Sequence, residues 1–131
     1  MIRDEFEKVT GFQAKKKHCR ILKIILFASQ ATERVYACLL LVLTNYKPNT
    51  HNLVQLNSLA ILQNGQIATV FPQDTKQQRR RFQLLKNAYI DVRYSEHFEI
   101  TKEELNWLAE RVSLLQQLTE TLCQEKIKNY Q

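Results

Sequence analysis

The chain has 131 residues, 44% of them hydrophobic and 24% charged, which is enough for one globular domain with a core that needs neither disulfides nor a metal to fold. Two glycines and two prolines exclude an all-β protein with many tight turns and favour long uninterrupted helices. The net charge of +6 suits partners that carry phosphate, and three widely spaced cysteines, Cys19, Cys38 and Cys123, exclude a disulfide framework or a CxxC-type zinc site.

In chain order, residues 4–17 form a short polar segment with Phe6, Val9 and Phe12 as its only anchors, weakened by Gly11. A second helix is expected over Arg20–Tyr46. Ile21, Ile25, Ala28, Thr32, Val35, Leu39 and Val42 follow helical spacing, and Leu22, Leu26, Leu40 and Leu43 widen the apolar stripe. The apolar run Ile21–Leu43 resembles a membrane span in length. Gln30, Thr32, Glu33 and Arg34 interrupt it, and charge at bilayer depth is costly, so it reads as a core helix with no membrane partner. Cys38 in this helix is expected to act as a small buried hydrophobe. Tyr46-Lys47-Pro48-Asn49 is the turn.

Asn49 or Thr50 is expected to cap a third helix carrying Leu53, Leu56 and Leu59, closed in a left-handed turn at Asn64-Gly65. Residues 67–72 read as an irregular apolar connector. Asp74 or Thr75 caps a fourth helix over residues 76–94, with Phe82, Leu85, Tyr89 and Val92 inward. Thr101-Lys102-Glu103-Glu104 is a capping box opening a fifth helix to Lys126, whose Leu105, Leu108, Val112, Leu115, Thr119 and Leu122 make a bundle seam. The whole reads as an all-α antiparallel bundle of four to five helices, one domain over residues 1–131. Two basic clusters, Lys15–Lys17 with Arg20 and Arg79–Arg81 with Lys76, are expected on solvated helix faces.

Arg93-Tyr94-Ser95-Glu96-His97 carries the clearest chemical signal. A guanidinium can hold a phosphate, and an imidazole can move a proton near neutral pH. His18, His51 and His97 are scattered without ligand spacing, so no metal and no cofactor are expected. Reduced thiols point to a cytoplasmic protein.

Three segments carry a resemblance: Gln30-Ala31-Thr32-Glu33, then Pro48-Asn49-Thr50-His51-Asn52-Leu53, then Ala88-Tyr89-Ile90-Asp91-Val92-Arg93-Tyr94. Their order and spacing resemble the HEPN domain (higher eukaryotes and prokaryotes nucleotide-binding), over about residues 27–127; residues 1–26 depart from its pattern. The resemblance implies a helical bundle that often dimerises, nucleotide or RNA as ligand, and association with a minimal nucleotidyltransferase, which this sequence does not contain. The nucleotide-binding set would be Arg93 on phosphate and Tyr94 on a base, joined by His51, Gln30 and Glu33; the alternatives are that His51 caps and packs at the start of the third helix and that Gln30 and Glu33 satisfy each other in the bundle. Many ribonucleases of the wider family space an Arg and a His by four to six residues, whereas three separate Arg93 from His97 here. A binding module is therefore favoured over an enzyme. The alternatives are a metal-independent endoribonuclease using Arg93 and His97 as catalytic residues, and a dimerisation or interaction scaffold.

Overall fold

The computed structural model describes residues 12–88 and 100–129, with side chains at 21, 23–88 and 100–129. Among these the order is α1 Phe12–Thr44, α2 Leu53–Gln63, a 3-10 helix Gly65–Thr69, α3 Lys76–Lys86 and α4 Lys102–Lys128, with no strand. The fold is all-α.

Helix α1 has no break between residues 17 and 20, where two separate segments were expected. No glycine or proline lies between Phe12 and Pro48, and lysine and alanine favour the helix, so it runs on for 33 residues, about 50 Å at 1.5 Å per residue. It stops where Asn45 turns left-handed (φ 59°), its N–H bonding Leu41 O at 2.9 Å. Asparagine tolerates that conformation better than most residues.

The inward face of α1 follows the expected stripe at Ile25, Thr32 and Leu39 and adds Tyr36 to it. Ile25, Thr32, Tyr36, Leu39 and Leu40 are buried, whereas Val35 is only half-buried. Tyr36 is fully enclosed because its hydroxyl donates to Asn57 Oδ1 at 2.9 Å, giving a buried phenol its partner. Burial pushes this phenol well above its ordinary value of 10.0. Cys38 is exposed, not buried as its apolar surroundings suggested. The segment Lys23–Thr44 is long and apolar enough to cross a membrane by composition. In the bundle the same stretch supplies Ile25, Tyr36, Leu39 and Leu40 to the core.

The cap of α2 is Asn52, not Asn49 or Thr50: its side chain accepts from Val54 N and Gln55 N. Thr50 instead steadies the approach, its Oγ1 accepting from Asn52 N at 3.2 Å. Asn64 ends α2 in extended backbone (φ −154°), not in a left-handed turn, and its side chain accepts from Gln66 N to start the 3-10 helix. The expected irregular connector is thus partly helical, and it buries Ile67, Val70 and Phe71. Phe71 packs on Phe82 with ring centroids 5.0 Å apart.

Thr75 and Thr101 open α3 and α4 with reciprocal capping boxes to Gln78 and Glu104. Helix α3 ends at Lys86, with Asn87 bonding back to Gln83 and Leu85; Ala88 is again helical, and the rest of the expected helix, with Tyr89 and Val92, lies outside the described residues. Helix α4 presents Leu108, Val112, Leu115, Thr119 and Leu122 to α1, as its spacing predicts. Each such buried aliphatic side chain contributes about 1.5–3 kcal/mol.

Candidate functional site

One face of α1 carries Leu26, Ser29, Gln30, Glu33 and Arg34, at the i, i+3, i+4, i+7, i+8 spacing that aligns side chains along a helix. The turn before α2 brings His51 and Asn52 against this face, and the end of α3 adds Lys86 and Asn87. Together they enclose a cleft of about 610 Å³. Leu26 and the buried Ser29 form the less polar part of its wall.

Three residues expected at the site from sequence therefore meet: Gln30, Glu33 and His51. Glu33 does not pair with Gln30. Its Oε1 accepts from His51 Nδ1, joining α1 to the α2 turn across 18 positions of sequence. An ionised carboxylate only accepts, so the shared proton belongs to Nδ1. In the neutral ring that leaves the Nε2 lone pair directed away from Glu33. The imidazole is 87% exposed and the carboxylate 29%. His51 is thus neither a helix cap nor a packed core residue, the two structural roles open to it from sequence. The first is taken by Asn52 and the second is excluded by exposure.

Two cations were missed by sequence reasoning. Arg34 and Lys86 line the cleft together with the single carboxylate Glu33. With neutral His51 the lining holds a net positive charge, and protonation of His51 adds to it. Arg34 was readable from its place four after Gln30; Lys86 was not, because it depends on where α3 ends. Asn52, the cap of α2, also lines the cleft, which places the positive end of that helix beside it. Gln30, Asn52 and Asn87 carry amides of the kind that meet the edges of bases.

The proposed catalytic pair Arg93 and His97, and Tyr94 with them, lie outside the described residues. They follow Asn87 by six, ten and seven positions. Elsewhere, Cys123 on α4 has its thiol pushed up, first by burial and then by its neighbour Cys38 on α1.

A family model described as HEPN domain matches residues 14–122. The match takes in α1 except its first two residues, α2, α3 and most of α4. No curated protein matches the chain.

Proposed function

The chain belongs to the HEPN domain family, and from that premise we propose that it is a nucleotide- or RNA-binding helical module whose ligand occupies the cleft between α1, the α2 turn and the end of α3. The observation that carries this reading is the meeting of Arg34 and Lys86 with the Glu33–His51 pair in one cleft. Arg34 and Lys86 hold phosphate oxygens by charge-assisted hydrogen bonds. Gln30 and the outward edge of His51 meet the ribose or base. Arg93 and Tyr94 belong to the same site in this reading, the first on phosphate and the second stacked on a base.

The module works in the cytoplasm as a homodimer, without a cofactor, and seats a nucleotidyltransferase domain or partner. The exposed apolar side chains Ile24, Phe27 and Leu41, on one stripe of α1, support a protein-binding face. Gel filtration with light scattering checks this: Phe27→Glu is expected to convert dimer to monomer, and a wild-type monomer at high concentration removes the homodimer.

One observation favours a second reading, a metal-independent endoribonuclease. Glu33 orients His51 as a carboxylate orients the imidazole of a general base. RNA cleavage lost in either His51→Ala or His97→Ala identifies the base. Cleavage that survives both removes this reading.

Calorimetry with ATP, GTP and a short single-stranded RNA tests the main proposal. Wild type is expected to bind at least one of them, and Arg34→Ala with Lys86→Ala to lose about tenfold or more in affinity, since a charged hydrogen bond is worth roughly 1.5–3 kcal/mol. Equal affinity in wild type and double variant sinks the cleft as the site.

A further inference from the structure

Within the basic cluster, Lys76, Arg79 and Arg80 are exposed, as its sequence suggests, and Arg81 is not. Arg79 Nη1 donates to Gln73 O at 2.9 Å, and Arg80 Nε lies 3.5 Å from Glu104 Oε2. Arg81 is different. It is only 9% exposed, and its Nε–H is fully buried without an acceptor. Among the described residues its partner is the face of Trp107, 5.2 Å from its guanidinium carbon. Arg111 lies 5.3 Å from the same ring, with Nη1 donating to Thr69 O at 3.4 Å. A guanidinium carries five donors, and burying one without an oxygen acceptor is costly. Among the described residues nothing accepts from this Nε–H, nor from the Nε–H of Arg111.

Arg81 forms part of the wall of a cleft of about 500 Å³ between the starts of α3 and α4. Lys76, Arg80 and Arg81 supply three cations there, against Glu103 and Glu104. Glu104 is already engaged, by Thr101 N through Oε1 and by Arg80 through Oε2. The excess is therefore a single positive charge. We propose that this cleft is a second phosphate site, separate from that of Glu33 and His51, in which Arg81 and Lys76 hold a phosphodiester group of an RNA strand. The proposal rests on the RNA reading above for the identity of the strand. A phosphodiester has one negative charge on two non-bridging oxygens. It matches both the excess charge and the two-pronged geometry of a guanidinium.

Trp107 is the only tryptophan in the chain and touches Arg81, so its emission reports on this cation. The experiment titrates the full chain, at constant ionic strength, with the dinucleotide UpU, which has one phosphodiester, and with uridine, which has none. A saturable change in Trp107 emission with UpU and none with uridine is expected. The UpU midpoint is expected to rise at least tenfold in Arg81→Gln and about threefold in Lys76→Ala. Lys76 is exposed, so its variant decides the matter if Arg81→Gln does not fold. Flat emission, an equal response to uridine, or an unchanged midpoint in Lys76→Ala overturns the site. Calorimetry with ATP and GTP reads the other cleft independently. Nucleotide binding with flat Trp107 emission sinks only the second site, and a Trp107 response beside equal nucleotide and RNA affinity in wild type and the Arg34→Ala, Lys86→Ala variant sinks only the first.

Discussion

The cleft of Glu33 and His51 and the cleft of Arg81 use charge in opposite ways. In the first, the imidazole is 87% exposed and its carboxylate sits at the rim, so water screens the pair and it adds little to stability. In the second, one guanidinium is buried with an unanswered donor, so the same kind of charge weighs against the fold. Exposed charges can be exchanged for function without touching the bundle. A buried one is coupled to folding.

The core sets the scale for that comparison. Leu115→Ala, at a fully buried seam position, is expected to lower stability by about 2–5 kcal/mol in urea unfolding. Next, Arg34→Ala with Lys86→Ala is expected to cost about 1.5–3 kcal/mol of ligand binding while moving stability by no more than about 0.5 kcal/mol. A large stability loss there would erase the distinction between the clefts. Arg81→Met is expected to raise stability by about 1 kcal/mol. The unanswered donor costs about 1–3 kcal/mol, and the contact with Trp107 returns about 0.5–2. A clear loss would mean that the guanidinium is structurally satisfied. Glu33→Gln should be the mildest, within about 0.5 kcal/mol by thermal melting.

The alkaline limb adds a pH test of the core. Because burial raises the Tyr36 phenol above 10.0, the unfolded chain releases that proton first. Its contribution is full below pH 10 and falls as pH rises beyond it. Tyr36→Phe should flatten that decline, which a series of melts from pH 8 to 11 would reveal.

Much of the bundle was legible because its signals are local. Thr101 and Glu104 announce a capping box within four residues, and the seam from Leu108 to Leu122 needs only helical periodicity. The misreadings share a cause. Asn52 displaced Thr50 as cap by a shift of two residues, which side-chain preference alone does not decide. Tyr36 became a core residue because of Asn57, 21 positions away, and no spacing rule on one helix contains that partner. In the cleft lining, Gln30, Glu33 and His51 are the residues that the family resemblance had pointed to. Lys86 joined them only through the place where α3 stops. Arg81 was hidden within a run of like residues, since identical neighbours point in different directions around a helix.

The bond between Tyr36 and Asn57 bears on more than the energy of one hydrogen bond. Two helices with broad leucine faces can dock in several registers of nearly equal quality, because apolar contacts are not directional. A phenol and an amide that are both sealed from water accept only the arrangement in which they meet. That single pairing selects how α1 crosses α2, and three residues earlier on α1 it brings Glu33 within reach of His51. Replacing both partners by apolar residues of similar size would leave a bundle that still melts cooperatively but no longer holds one address for its cleft.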